Sequence, residues 1–157
     1  MEKPKHFLYP GAIYVSPESS LITTILGSCV AVCLYDPLLQ VGGMNHFMLP
    51  LWNGQGLASP RYGNIAIDKL IRNMEALGSM RKNMKAKVFG GAEIIATNIN
   101  QFMIGERNIH LAKDTLHEEG IAIVSSSTGG KLGRKIIFNT ETGEVRQKYV
   151  GGQKLSV

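Results

Sequence analysis

LITTILGSCVAVCLYDPLLQVGGMNHFMLP spans Leu21 to Pro50 and contains three apolar runs rich in β-forming residues. The run from Val30 to Tyr35 is apolar at both sets of alternating positions, which is typical of a strand covered on both faces. Asp36-Pro37 ends this run, and Val41 to Leu49 forms the next one. The two runs therefore predict a pair of antiparallel strands joined by a short turn.

The rest of the chain alternates short β-rich runs with two helical patterns. Apolar residues recur on one helix face between Ile67 and Leu77, before Gly78, and a second helix is expected from Ile104 to Leu116. Ser125 to Gly130 is predicted to be a polar loop. Further strands are predicted at 12–15, 21–25, 86–89 and 121–124, and a hairpin at 135–139 and 144–149. This pattern predicts a single-domain α/β (α+β) sandwich with mixed, largely antiparallel β-sheets and two to three helices.

Composition places the chain among ordinary globular proteins, since 44% of its 157 residues are hydrophobic and 18% are charged. No apolar run approaches the ~18 residues of a membrane span. Met1 to His6 lacks the apolar core of a secretory signal, so we expect a cytoplasmic protein with reduced cysteines. One domain is expected to cover residues 1–157, with loosely ordered tails at 1–7 and 151–157.

The net charge of +5 raises nucleic acid as a possible partner. The basic residues cluster weakly, in one short patch without interleaved aromatic residues, formed by Arg81, Lys82, Lys85 and Lys87. A solvated basic face explains this patch better, and we expect no nucleic-acid binding.

Cys29 and Cys33 are the two cysteines. Four residues along one strand separate their α-carbons by about 13 Å, too far for a disulfide. Cys33 is expected to pack in the core as a small hydrophobe. Cys29 follows Gly27-Ser28, where a sharp backbone path would present its side chain and leave its N–H free to stabilise an oxyanion. The alternative is that Cys29 is a buried core residue as well.

His46 lies inside an apolar run and is a candidate general base, with a satisfied core histidine as the alternative. The cysteines and histidines lack zinc-ligand spacing, and Ser125 to Gly130 lacks the order of a phosphate-binding loop. We therefore predict no metal and no cofactor.

The segment from Leu26 to Val32, followed by His46 within Gly43 to Pro50, resembles the chemoreceptor glutamine deamidase family CheD. The resemblance extends over about residues 8–150 and includes Gly90-Gly91-Ala92, Ile104 to Asn108, Thr128-Gly129-Gly130, Gly133-Arg134, Asn139 and Thr142-Gly143.

The resemblance implies a Cys-His-Thr site that converts glutamine side chains of chemoreceptors to glutamate through a thioester. By position, Cys29 is the nucleophile, His46 the base, and Thr23 the residue that orients the His46 ring. Thr24 is adjacent, and only the facing of the strand distinguishes the two threonines. Gly27 and Ser28 are the candidates for shaping the oxyanion site. A thiolate favoured by His46 would attack the amide.

The resemblance also implies two partners. The cytoplasmic helices of a methyl-accepting chemotaxis receptor would be the substrate, and a CheC-type phosphatase would be the regulator. No direct membrane insertion is expected. The alternative function is a non-catalytic chemotaxis module that docks the CheC-type phosphatase.

Overall fold

A computed structural model describes residues 2–93 and 103–151. These residues form nine strands, two α-helices and a short 3-10 helix at Arg81–Asn83. In chain order the elements are β1 (Lys5–Phe7), β2 (Ile13–Ser16), β3 (Leu21–Leu26), β4 (Val30–Asp36), β5 (Val41–Asn45), α1 (Gly63–Ala76), β6 (Lys85–Gly90), α2 (Ile104–Glu118), β7 (Ala122–Thr128), β8 (Gly133–Asn139) and β9 (Val145–Val150).

The strands form two sheets. One has four strands in the order β1-β3-β8-β9, and the other has five in the order β2-β5-β4-β6-β7. The pairs β1–β3 and β6–β7 are parallel, and the other described pairs are antiparallel. The α+β fold with largely antiparallel sheets is therefore confirmed, as are the β4–β5 pair and the hairpin of β8 and β9.

β4 carries core residues on both of its faces. Val30, Val32 and Leu34 pack with apolar residues of α1 and α2, whereas Ala31 and Cys33 pack with apolar residues of β3 and β8. The molecule thus has three layers, with the five-stranded sheet between the helices and the four-stranded sheet. This burial on both sides explains why β4 is apolar at both sets of alternating positions from Val30 to Leu34.

β5 ends at Asn45, four residues before the end predicted from the apolar run. The side chain of Asn45 accounts for the early end, because its Oδ1 accepts the Val32 N–H at 2.9 Å. The next backbone carbonyl, that of His46, accepts the Gly11 N–H at 2.8 Å from outside the sheet. His46 therefore lies just beyond β5.

Two other segments differ from the sequence predictions. Ser125 to Thr128, expected in a loop, continue β7, because the parallel pairing with β6 extends as far as Gly90 opposite Thr128. Residues 5–7, expected in a loose tail, form β1 and pair with β3 from Leu21 to Thr23. Of the expected C-terminal tail, 152–157 lie outside the described residues. Within the described part of the chain, no helix is long and apolar enough to cross a membrane.

Candidate functional site

The turn from Gly27 to Cys29 joins the two sheets and is fixed through its carbonyl groups. The carbonyl of Gly27 accepts the Ala92 N–H and that of Cys29 accepts the Gly91 N–H, each at 2.9 Å. Among the described residues, no other residue accepts a hydrogen bond from the Cys29 N–H. The backbone therefore holds Cys29 in place, and its N–H is not used in a hydrogen bond to another described residue.

Cys29 and His46 lie on the same face of the five-stranded sheet. Val30 and Phe47 exchange backbone hydrogen bonds of 2.9 and 3.1 Å, which continue the β4–β5 register past the end of β5. In this register Ala31 is opposite His46 and Cys29 is its diagonal neighbour, at a distance of roughly 7–8 Å between backbone positions. The candidate nucleophile and the candidate base are thus brought together on the face that meets the four-stranded sheet.

The imidazole of His46 is held by Thr24. The distance from Thr24 Oγ1 to His46 Nδ1 is 2.7 Å, and both side chains are buried. Thr24 shares the inner face of β3 with Ile22 and Leu26, all fully buried, whereas Thr23 lies on the outer face and is partly exposed. The assignment of Thr23 as the partner of the ring is therefore corrected to Thr24, because adjacent residues of a strand face opposite sides.

The second contact of Thr24 determines the tautomer of His46. Thr24 Oγ1 lies 2.7 Å from the carbonyl oxygen of Leu8, which can only accept a hydrogen bond. The single hydroxyl proton is thus donated to Leu8, so Thr24 accepts the proton on His46 Nδ1. In a neutral imidazole the other nitrogen, Nε2, then carries a lone pair. This is the nitrogen that a general base needs.

Burial sets the charge of both candidate residues. Desolvation lowers the pKa of His46 to about 4, so the ring is neutral at pH 7. Desolvation also raises the pKa of the Cys29 thiol, and the hydrogen bond from its own backbone N–H opposes this effect only in part. Burial therefore favours a neutral thiol and a neutral imidazole in the resting structure.

The Nε2 atom of His46 is buried and has no hydrogen-bond partner among the described residues, Cys29 included. In the structure the two groups are therefore neighbours without a direct hydrogen bond. Unliganded catalytic sites commonly show such loose geometry and tighten when the substrate binds.

Asn108 is a site residue to which the sequence analysis assigned no role. It is fully buried on α2, and its Nδ2 donates to the Ser28 carbonyl at 3.0 Å and to the Met48 carbonyl at 3.1 Å. One side chain thereby ties together the segment before Cys29 and the segment after His46. The only signal in the sequence was its place in the motif from Ile104 to Asn108.

A groove of about 460 Å³ lies beside these segments, between the chain that follows Met48 and the exposed side of α2. Leu51 is part of its wall. The other lining residues are Leu49, Pro50, Tyr62, Ile104, Arg107, His110, Leu111 and Asp114.

The chain is similar over most of its length to proteins of known family. A family model described as CheD chemotactic sensory transduction matches residues 48–149. A protein of Trichlorobacter lovleyi named probable chemoreceptor glutamine deamidase CheD is 55% identical over 90% of this chain and 88% of its own length.

Proteins with the same name from two other organisms agree with this match. The one from Sulfurimonas denitrificans is 52% identical over 96% of this chain and 97% of its own length. The one from Rhodospirillum rubrum is 44% identical over 90% of this chain and 80% of its own length. The resemblance seen in the residues around Cys29 and His46 is thus confirmed, and the chain belongs to the CheD family.

Proposed function

We propose that this protein is a glutamine deamidase that converts glutamine side chains of methyl-accepting chemotaxis receptors to glutamate. The observation that carries the proposal is the neutral His46 ring on the same sheet face as Cys29. Thr24 holds the ring at Nδ1, and Nε2 has no hydrogen-bond partner among the described residues. The names of the similar proteins supply the substrate class.

The first half of the reaction forms a thioester. His46 Nε2 takes the proton of the Cys29 thiol as the sulfur attacks the carboxamide carbon, which places a negative charge on the amide oxygen. His46 then donates this proton to the amide nitrogen, the carbon–nitrogen bond breaks, and ammonia leaves. Because the resting thiol is neutral, the nucleophile is generated only when His46 accepts its proton.

The second half restores the enzyme. His46 Nε2 takes a proton from water, the resulting hydroxide attacks the thioester carbonyl, and Cys29 leaves with the proton returned to its sulfur. The sum is glutamine plus water giving glutamate plus ammonium, since ammonia takes up the proton of the new carboxylic acid. Both halves pass through an oxyanion, for which the N–H of Cys29, hydrogen-bonded to no other described residue, is the proposed donor. Gly27 and Ser28 shape this site through the hydrogen bonds made by their carbonyls.

The proposed partners follow from the family. The receptor's cytoplasmic helices are the substrate, which places the reaction in the cytoplasm. A CheC-type phosphatase is the proposed regulator. A non-catalytic docking module would bind the same phosphatase without changing a receptor, so receptor modification separates the two functions.

The test is mass spectrometry of a receptor cytoplasmic fragment after incubation with the protein. Wild type should produce the mass increase of glutamine converted to glutamate. Cys29→Ala should abolish it, and His46→Ala should reduce it by about 10²-fold or more, the usual effect of losing a general base.

Cys33→Ala is the matched control, since Cys33 lies in β4 four residues after Cys29, contributes to the same apolar cluster and is fully buried. It removes a thiol without touching the proposed nucleophile, and its activity should remain close to wild type. Unchanged deamidation by Cys29→Ala would sink the assignment of the nucleophile. A wild-type protein that leaves every receptor glutamine unmodified would favour the docking module.

A further inference from the structure

Arg134 is a buried cation without an anionic partner. Its side chain in β8 is 2% exposed, and no carboxylate lies within ion-pair distance of it in the described part of the chain. Nη1 donates to the carbonyl and hydroxyl of Ser127, and Nη2 donates to the carbonyl of Gly129. Nε has no partner among the described residues. A buried charge with only neutral partners is costly, and a bound anion relieves the cost.

A cavity of about 240 Å³ lies beside this guanidinium. It is lined by Thr128, Gly129, Gly130, Lys131, Leu132, Arg134 and Tyr149. Two of these residues are cationic and none is acidic. Glu93 is attached to the same loop by its N–H, which donates to the Gly130 carbonyl, but its carboxylate accepts the Glu106 N–H at the start of α2. The lining therefore presents positive charge without an internal counter-ion.

Arg134 keeps unused donors suited to a carboxylate. A guanidinium has five N–H groups, and the three contacts with Ser127 and Gly129 leave the Nε–H and one Nη2–H. Both are N–H groups of a charged guanidinium, which makes them strong donors to a carboxylate oxygen. Lys131 adds an exposed positive charge at the mouth of the cavity.

The cavity lies close to Cys29. The Gly129 N–H donates to the Gly90 carbonyl, and the Gly91 N–H donates to the Cys29 carbonyl, each at 2.9 Å. Because β6 separates β7 from β4, the cavity loop and Cys29 are two strand spacings apart, which is roughly 10 Å. A substrate that reaches Cys29 with one side chain can therefore reach the cavity with another.

We propose that this cavity binds an acidic side chain of the substrate protein, next to the glutamine that is deamidated. The proposal rests on the proposed function. On a substrate helix, roughly 10 Å corresponds to about seven residues or two turns, on the same face as the target glutamine. The subsite gives the enzyme a preference for receptor glutamines that have a glutamate or aspartate at this spacing.

The first experiment compares kcat/KM for helical peptides with one target glutamine and either glutamate or glutamine seven residues before or after it. For wild type, kcat/KM should be roughly tenfold higher for one of the two glutamate peptides than for the matching glutamine peptide, which is the effect of a hydrogen bond to a charged group. Arg134→Lys keeps the positive charge but loses the guanidinium donors. This variant and Lys131→Glu should both reduce the ratio of kcat/KM between the glutamate and glutamine peptides to near one. Lys131 is exposed, so its variant tests the proposal even if the Arg134 variant fails to fold.

The second experiment measures binding without turnover. Isotope-labelled Cys29→Ala protein is titrated with N-acetyl-glutamate α-amide and, as the uncharged control, with N-acetyl-glutamine α-amide. Shifts of the Gly129 and Gly130 amide signals by the glutamate compound alone would support the subsite, even if the protein deamidated nothing. Equal peptide rates in wild type together with no selective shift would overturn the subsite, even if deamidation were demonstrated.

Discussion

At the scale of single residues, the state of His46 depends on one hydroxyl proton. Thr24 donates that proton to the Leu8 carbonyl and accepts the proton of His46 Nδ1, each at 2.7 Å. The second nitrogen of the ring is thus kept free for the thiol of Cys29. A threonine can perform this task because the ring stays neutral at rest and needs orientation more than a fixed negative charge.

Thr24→Val should therefore reduce kcat. Valine preserves the shape but leaves the buried Nδ1–H without an acceptor, a loss of about 1–3 kcal/mol. If this loss raises the free energy of the transition state by the same amount, kcat falls roughly ten- to hundredfold. The protonated nitrogen, identified from the ¹⁵N shifts of the imidazole, should change from Nδ1 alone to a mixture of the two tautomers.

Two variants serve as controls for this prediction. Thr24→Ser keeps the hydroxyl and should retain most of the activity and the Nδ1–H tautomer. Thr23→Val alters the neighbour on the outer face of β3 and should leave the imidazole signals unchanged. A loss of the Nδ1–H tautomer in Thr23→Val would contradict the assignment of Thr24.

At the scale of elements, Cys29 is positioned by the end of β6. Gly90 has a φ of +106°, and a Cβ at this position would lie 2.2 Å from the Cys29 carbonyl oxygen. The two backbones approach so closely because β4 and β6 are still paired at Val30 and Gly90, one residue after Cys29. Only glycine fits both the conformation and the distance.

Gly90→Ala should lower the free energy of unfolding by about 3 kcal/mol or more, since the strained φ alone costs roughly 1–3 kcal/mol and the clash adds to it. The variant should also slow alkylation of Cys29 by iodoacetamide, because the carbonyl that must move belongs to the cysteine itself. Urea unfolding and a timed labelling reaction measure the two effects.

Gly120→Ala is the matched control. Gly120 has a φ of +72°, and a Cβ added to it would have no atom within 4 Å, so this change carries the backbone cost without the clash. It should destabilise the protein by about 1–2 kcal/mol and leave the labelling of Cys29 unchanged. Equal labelling rates in the two variants would argue that Gly90 has no part in placing the nucleophile.

At the scale of the whole molecule, the position of His46 between the two sheets links folding to pH. Burial lowers its pKa from 6.5 to about 4 in the folded protein. Between these values the unfolded chain binds a proton that the folded protein does not, so stability falls as the pH decreases through this window. Above pH 6.5 both states are neutral and the contribution is constant.

The free energy of unfolding should therefore decrease on acidification from about pH 6.5 to pH 4 by up to roughly 3 kcal/mol through His46 alone. Urea unfolding at several pH values measures it. His46→Gln removes the titrating ring, so between pH 6.5 and pH 4 its free energy of unfolding should decrease less than that of wild type, by the amount that His46 contributes. Parallel curves would show that His46 does not titrate with a lowered pKa.

The fold class was predictable from the sequence because it depends on local periodicity. The apolar residues on both faces of β4 from Val30 to Leu34 required cover on both sides, and the spacing between Ile67 and Leu77 required a helix. The end of β5 was not predictable, because it depends on the Asn45 side chain replacing a backbone acceptor for Val32.

The sequence by itself determined the family and pointed to Cys29 and His46 as the proposed nucleophile and base, since both are recognised from the residue types next to them in the chain. Only the tertiary structure decided which threonine meets the imidazole, because Thr23 and Thr24 differ only in the face of β3 that packs against the other sheet. It also decided the directions in which the pKa values of Cys29 and His46 shift, because desolvation depends on the surrounding layers and not on neighbours in sequence.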